Sequence, residues 1–292
     1  MYFAIMIICN TLEELNTQLG DYKKLVYTIG FVPTMGALHA GHISLIKAAA
    51  LHNNVVVCSL FVNPTQFNNP ADYNKYPSTL DKDIELLQQN GCTLLFAPTV
   101  LTMYPKGLQA LATYNLGYIE TVYDGAYRPG HFQGVCTVVQ RLFEMVQPNT
   151  AYFGLKDYQQ CMVIKKLVQL MQWEHKLHLH LQPTLRETDG LAMSSRNMRL
   201  TQQQRKQAPI IYQQLQYIKN NITANNIEIV IAKAKQEITN GGFKIDYLDI
   251  ATSSTLAPIT NWNVSQQMVC LFAGLIGEVR LIDNIVMEYV VA

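Results

Sequence analysis

The stretch Phe31–Ile46, FVPTMGALHAGHISLI, decides how the chain is read. An apolar run from Ile29 to Val32 ends in Pro33, and a glycine-bearing turn follows from Thr34 to Gly41. A helical pattern then places Ile43, Ile46, Ala49 and Ala50 on one face. Strand, glycine turn and helix is the local arrangement by which an α/β protein aims free backbone N–H groups at a phosphate. His39 and His42 sit at the helix start, at a spacing that puts helical side chains on one face. Beside a phosphate cradle such a pair can bind phosphoryl oxygens and donate to charge developing there. Taken alone, the two residues read equally well as surface histidines or as zinc ligands lacking the rest of a set.

The rest of the chain narrows the choice. It has 292 residues, 49% of them hydrophobic and 15% charged, enough for one large or two modest domains with ample core. Its 22 basic residues against 21 acidic ones leave a net charge of +1, with no footprint for nucleic acid. The six cysteines are scattered, without a CxxC pair, and read as buried free thiols of a reducing compartment. The apolar start, MYFAIMIIC, has no basic segment before it and no small-residue cleavage site, and runs into the helix-start pattern Asn10–Glu14. A first strand is expected there. No apolar run approaches the ~20 residues of a membrane span. The expected location is the cytoplasm.

Up to about Thr184 strands and helices alternate, which implies a parallel sheet with helices on both faces. Val55–Phe61, VVVCSLF, reads as a strand buried on both sides. Asp81–Gln89 reads as a helix, Thr93–Phe96 as a strand, and Val135–Val146 as a full helical stripe. Tyr152–Phe153 and Leu177–Leu181 are strands flanking a helix that carries Cys161, Ile164 and Val168. Beyond that point come two helices, around Ile210–Ile218 and from the Asn-rich turn 220–226 to Ile238. Three strands follow: Phe243–Ala251, Met268–Phe272, and Val279–Val290 broken near Asp283–Asn284. The expected organisation is an α/β domain, residues 1–184, and a smaller α+β domain, residues 185–292.

Four more clusters carry chemistry. Asn63 and Gln66, in FVNPTQF, read either as neutral hydrogen-bonders at a strand end, suited to a small hydroxy acid, or as polar surface residues of a proline turn. Arg128 and His131, in RPGH, precede a helix and make either an anion site or a pairing of Arg128 with a surface carboxylate. FGLKDYQQ repeats the strand–glycine–helix junction, with Lys156 as a phosphate point charge and Asp157 as a natural N-cap. Met193–Asn197, MSSRN, is either a polar loop or a grip on a triphosphate, with Gly190 giving freedom to close. His178 and His180 share a strand face but have no Cys or carboxylate set for zinc, and His52 and His175 read as surface residues. No Ser–His–Asp set, nucleophilic Cys or paired acids offers a hydrolytic centre. The physical reading is ATP used to activate a small acid.

In this order, PTMGALHAGH, FVNPTQF, RPGHFQGV, FGLKDYQQ, DGLAMSSRN and RLIDN resemble the pantoate–β-alanine ligase (pantothenate synthetase) family along nearly the whole chain. HAGH is also similar to the HxGH signature of nucleotidylyl transferases and class I aminoacyl-tRNA synthetases. The resemblance implies a Rossmann-like N-terminal domain, a smaller C-terminal lid and a homodimer through the first. It implies two steps with Mg²⁺ and ATP: pantoate becomes pantoyl adenylate with release of pyrophosphate, then β-alanine displaces AMP. By motif position, Met35, Gly36, Ala37, Leu38, His39, Ala40, Gly41 and His42 form one ATP-binding run, with His42 as proton donor. Gly154, Leu155, Lys156 and Asp157 form a second, with Lys156 on a phosphate and Asp157 at the ribose. Leu185 lies by the adenine, and Met193, Ser194, Ser195 and Arg196 match the closing loop. Gln66 and Gln160 match pantoate-binding glutamines, and Asn63 a helper for the acyl adenylate. Mg²⁺ is expected on phosphate oxygens and water; Asp83 is a candidate outer ligand, with a surface helix position the preferred reading. Ser78 and Asn149 depart from the family's usual Arg and Asp.

Two alternatives stand beside this reading. One is a nucleotidylyl transferase of the same fold, which would want Lys or Arg in place of Gln66 and Gln160. The other is a non-catalytic nucleotide-binding module, which has no need of both phosphate-gripping loops.

Overall fold

The apolar runs become one parallel sheet. β1 (Ile7–Cys9), β2 (Ile29–Thr34), β3 (Val55–Leu60), β4 (Leu94–Phe96), β5 (Thr150–Gly154) and β6 (His178–Gln182) lie in the order β1-β4-β3-β2-β5-β6. Every adjacent pair is parallel. The computed structural model describes residues 6–68, 73–74, 76–77, 79–108, 111–223, 225–259 and 267–287. Ser78, residue 224 of the Asn-rich turn, the start of the first apolar run and the end of the last strand lie outside the described residues.

Among the described residues, the helices of ten or more residues that cover this sheet are α1 (Leu12–Lys24), α2 (Ala40–His52), α3 (Leu80–Gln89), α4 (His131–Val146) and α5 (Tyr158–Leu170). On one face Leu15, Leu19, Val135, Phe143 and Ile164 pack against Phe31, Val57 and Phe153. On the other, Leu45, Ile46, Ala49 and Leu87 pack against Val32, Val56 and Leu95. Neighbouring strand residues point to opposite faces, so covering both turns VVVCSLF into an unbroken apolar run. Phe143 stands edge-on to Phe31 and to Phe153, both at 6.3 Å, each such pair contributing ~0.5–1.5 kcal/mol beyond simple burial. α1 starts as its sequence predicts: the Thr11 hydroxyl accepts from the Glu14 N–H at 3.2 Å, while the Glu14 carboxylate accepts from the Asn10 and Thr11 N–H groups. Ala50, expected on the buried face of α2, is exposed; Leu45 and Ala48 take that face instead.

The C-terminal part pairs α6 (Ile210–Asn221) and α7 (Ile227–Asn240) with an antiparallel sheet, β7 (Lys244–Thr252), β8 (Met268–Ile276) and β9 (Val279–Met287), in sequence order. Leu215, Ile218, Ala234 and Ile238 cover one face of it against Leu248, Cys270 and Phe272. Tyr247, Ala251, Val269, Leu271 and Ala273 on the other face join the core of the parallel sheet. β9 is continuous where the sequence suggested a break. Asp283 and Asn284 are both buried, because that stretch faces the parallel sheet's loops rather than solvent.

Two features of the parallel sheet set the site. The chain turns in opposite directions on either side of the β2/β5 boundary, which is where ligands of open α/β sheets lie. β2 and β5 pair only through Gly30–Phe31 and Thr150–Ala151, so their last residues separate and a crevice opens between them.

Candidate active site

β2 leads into a turn where Gly36 and Ala37 both take left-handed backbone, at φ 83° and 50°. That conformation is strained for alanine and persists only where its surroundings impose it. Asp83 of α3 imposes it. Its carboxylate accepts from the Ala37 N–H at 2.9 Å, the Leu38 N–H at 2.8 Å and the Thr79 hydroxyl at 3.1 Å. Asp83 is 2% exposed, so it is neither a surface helix residue nor a carboxylate free for a metal.

His39 is the N-cap of α2 rather than part of its helical face. Its Nδ1 accepts from the Gly41 N–H at 3.1 Å, and the His42 Nδ1 lies 3.4 Å from the His39 N–H. The two rings are 4.1 Å apart. A Cβ on Gly41 would stand 2.9 Å from the His39 ring, so a side chain at position 41 would displace that ring. A backbone N–H can only donate, so each Nδ1 is an acceptor and each neutral ring carries its proton on Nε2. Burial, then the charge of Lys156, pushes His39 down to about 4. Burial, then His39 and Lys156, pushes His42 well below its ordinary value. Both rings are therefore neutral Nε2–H donors near pH 7.

Past β3, Asn63 caps a single turn, Pro64–Gln66, that ends in Gln66. Asn63 is 1% exposed and fully engaged. Its Oδ1 accepts from the Tyr104 hydroxyl at 2.7 Å, and its Nδ2 donates to the Gly134 carbonyl at 3.1 Å and to Gln66 Oε1 at 3.2 Å. It holds Gln66, and Gln66 is the group the turn presents. Behind them, Gly134 lets the turn seat on α4: a Cβ there would fall 2.3 Å from the Thr65 carbonyl oxygen.

The RPGH cluster braces the same turn. Arg128 Nη1 donates to His131 Nε2 at 3.1 Å, which leaves the His131 proton on Nδ1 to donate to the Gln66 carbonyl at 2.8 Å. Burial and the Arg128 charge hold His131 down at about 3. The Arg128 charge also reaches a carboxylate, though a buried one. Asp124 is held below its usual value, against the cost of burial, by Arg280 and then Arg128. Arg280 pairs with Asp124 at 2.7 Å and with Asp246 at 2.7 Å.

Lys156 sits in the single turn Leu155–Asp157 at the end of β5 and pairs with Asp157 at 3.1 Å. Asp157 occupies the N-cap position of α5 but its side chain makes no cap bond. The next residue pair divides its labour: Gln160 lines the crevice, while Gln159 is buried, its Oε1 accepting from the Asp124 N–H and its Nε2 donating to the Ile119 and Val122 carbonyls. Leu185–Met193 folds back on itself, with the Met193 N–H donating to the Leu185 carbonyl at 3.0 Å. Gly190, at φ 91°, is a tightly packed point rather than a loose hinge, since a Cβ there would come within 2.5 Å of the Tyr212 ring. The Ser194 hydroxyl accepts from the Arg196 N–H at 3.2 Å. Ser195 is buried, 3.5 Å from the Tyr76 hydroxyl.

A cavity of about 200 Å³ gathers Met35, His39, Gly41, His42, Asn63, Gln66, Gly154, Lys156, Asp157, Gln160, Leu185 and Met193. A second, of about 530 Å³, shares Met35, Gln66, Lys156, Asp157 and Gln160 and extends to Arg128, Arg196, Arg199 and Arg280. Ser194 meets Lys156, Arg196 and Asp283 around a smaller pocket. Gly36, Ala37, Leu38, Ala40, Leu155 and Ser195 line none of the three. Tyr76 has no sequence signal as part of the site; Asp83, Gln159 and Arg280 stand out in the sequence or fall in its motifs, but their roles cannot be read there because they depend on partners far along the chain. Among the described residues no group of three His, Cys, Asp or Glu side chains could hold a metal ion, His178 and His180 included.

Residues 7–286 match the sequence profile of the Pantoate-beta-alanine ligase family. The chain is 44% identical to a pantothenate synthetase of Azobacteroides pseudotrichonymphae over 286 residues, covering 96% of this chain and 99% of that one. It is 42% identical to that of Bacteroides fragilis over 281 residues, covering 96% and 98%. A crystal structure of pantothenate synthetase from Thermus thermophilus superposes with a TM-score of 0.83 at 41% identity, covering 96% of this chain and 99% of that one. The ligase of Francisella tularensis, complexed with β-γ ATP and β-alanine, superposes with a TM-score of 0.80 at 39% identity, covering 96% and 97%. The chain, matched along nearly all of its length in sequence and in fold, belongs to the pantoate–β-alanine ligase family.

Proposed function

We propose that this enzyme condenses pantoate with β-alanine to give pantothenate, with ATP cleaved to AMP and pyrophosphate. The observation that carries the reading is the convergence of two neutral Nε2–H donors, one lysine and two glutamines on one crevice at the β2/β5 gap. In the first step a pantoate carboxylate oxygen attacks the α-phosphorus, and the bond to pyrophosphate breaks. In the second the β-alanine amine attacks the acyl carbon, and AMP leaves with the electron pair of the acyl–oxygen bond. AMP is already a good leaving group, so the chain need only align the carboxylate and stabilise charge at phosphorus.

In this reading Gln66 and Gln160 hold pantoate, and Asn63 keeps Gln66 in place. His39 and His42, as neutral rings, donate hydrogen bonds from Nε2 to phosphoryl oxygens. Lys156, Ser194 and Arg196 take the β- and γ-phosphates, with Ser195 backing that loop from its buried position against Tyr76, Leu185 and Met193 beside the adenine, and Asp157 at the ribose. The larger cavity, with arginines and carboxylates on its walls, suits the zwitterionic second substrate and the departing pyrophosphate. Magnesium has no protein cage among the described residues, and both oxygens of Asp83 are taken by backbone. It would be held by the phosphates and water. Residues 1–184 and 185–292 are taken as the two units, the second as lid. A homodimer and a cytoplasmic location complete the reading; no helix among the described residues is long and apolar enough to cross a membrane.

The test is an assay on the purified chain with Mg²⁺, ATP and D-pantoate, following pyrophosphate and AMP separately. About one equivalent of pyrophosphate without β-alanine, and AMP turnover on its addition, is the expected result. No pyrophosphate from folded, ATP-binding protein would leave a nucleotide-binding module. Pyrophosphate only with another acceptor would indicate a nucleotidylyl transferase. Light scattering on the same preparation reads the dimer.

A further inference from the structure

β9 carries Asp283 and Asn284 to the wall of the larger cavity. Asn284, 5% exposed, reaches out of the small sheet and donates from Nδ2 to two successive carbonyls, Leu155 at 2.8 Å and Lys156 at 2.9 Å. These belong to the single turn that presents Lys156. The amide is itself braced. The Asn284 N–H donates to Asp283 Oδ1 at 2.8 Å, and Asp283 accepts from Arg186 in a two-pronged pair at 2.6 and 3.0 Å. Arg186 also donates to the Asn284 carbonyl at 3.2 Å and stacks 3.7 Å from the centre of the Tyr212 ring. The turn has few other holds: neither Gly154 nor Asp157 supplies a side-chain cap, and a Cβ on Gly154 would meet nothing within 4 Å.

We infer that Asn284 is a positioning residue for Lys156: its amide, braced by Asp283 and Arg186, fixes the turn from which the lysine meets the phosphates. The inference rests on the reading of Lys156 given above. A planar amide suits the task because its two N–H groups can serve two neighbouring carbonyls at once. An aspartate of the same size has nothing to donate. Lysine is a point charge on a flexible stem, so the backbone it hangs from decides where the charge falls. A shift of ~1 Å in such a group can slow a reaction about a hundredfold.

The experiment measures single-turnover pyrophosphate release from ATP and pantoate, without β-alanine, for the native enzyme, Asn284→Ala, Lys156→Ala and the double variant. Asn284→Ala is expected to be about tenfold slower or more, with the KM for pantoate unchanged and the melting transition retained. In the Lys156→Ala background it should slow the reaction no further. Asn284→Asp should behave like Asn284→Ala, and serves if the alanine variant does not fold. Full rate in either folded Asn284 variant overturns the inference. So does the same slowing with and without Lys156, which would show that Asn284 acts elsewhere. Loss of folding in both variants overturns it too, by making the residue a prop of the fold. Full rate in Lys156→Ala alone would instead remove the reading of Lys156.

Discussion

The two turns that face each other across the gap between β2 and β5 are held in different ways. The histidine turn is wired mostly within itself: His39 accepts from Gly41, and His42 turns back to His39. Asp83 supports it from α3 through the Ala37 and Leu38 N–H groups, and Gln66 reaches the Met35 sulfur. The lysine turn is held from the far end of the chain, where Asn284 binds a carbonyl 128 positions away. One side of the crevice therefore keeps its geometry from its own helix cap. The other takes it from a strand of the small sheet, so displacing that sheet would loosen the lysine and leave the histidines in place.

That contrast can be broken from either side. The largest effect is expected for His42→Ala, which leaves the fold intact but removes a donor to developing charge, at ~3 kcal/mol or about a hundredfold in rate. Single-turnover formation of pantoyl adenylate should fall by that factor, with ATP binding changed far less; a near-normal rate would take His42 out of the chemistry. Asp83→Ala leaves the buried Ala37 N–H and the half-buried Leu38 N–H without an acceptor, at ~1–3 kcal/mol for the buried group and less for the other. Urea unfolding should show the loss, and an unchanged midpoint would mean that the left-handed Ala37 needs no anchor. Next comes a matched pair of glycines. Gly41→Ala must displace the His39 ring and should cost about tenfold in adenylation, whereas Gly154→Ala, at an unobstructed position, should stay within about twofold. Equal effects would erase the distinction between the two sides.

The smallest effect is a slope with pH. His39, His42 and His131 all have depressed values in the folded chain, His39 at about 4 and His131 at about 3, against 6.5. The unfolded chain therefore binds protons below about 6.5 that the folded chain refuses, and stability falls as pH drops from there towards about 4. Asp283, lifted by burial, opposes this with one group against three. Asp124, lowered from 3.8, acts only at the acid end. Denaturation midpoints measured between pH 4 and 8 check the direction; a flat profile would mean that the rings are better hydrated than their burial indicates.

What the sequence made legible follows the same division. FVPTMGALHAGH was readable because strand, turn and cap are consecutive, and VVVCSLF because burial on both faces leaves an unbroken apolar run. The assignment of His39 to a helix face failed because a capping residue lies outside the helix it caps. Asp83 read as a surface residue because α3 looks amphipathic, and nothing local records that a carboxylate has turned inward to two N–H groups. The polar pair Asp283–Asn284 read as a strand break for a related reason: polar residues inside a strand signal a break unless partners elsewhere satisfy them. Gly190 read as a hinge because a glycine looks the same whether it is free or pressed against Tyr212.

All six cysteines are buried and unpaired. Burial lifts each of the thiols for which a shift is resolved, and Cys92 and Cys136 reach about 12. Only the thiolate reacts with an alkylating reagent, so labelling in the native protein must wait for the structure to open. The positions are informative. Cys58 and Cys92 lie beneath α2, Cys161 accompanies the lysine turn with its Sγ 3.4 Å from the Gly154 carbonyl, and Cys270 is in the core of the small sheet. Timed alkylation read peptide by peptide thus makes these thiols a set of internal clocks. If Cys270 and Cys161 were labelled together while Cys58 lagged, the two sheets would not share a single cooperative opening.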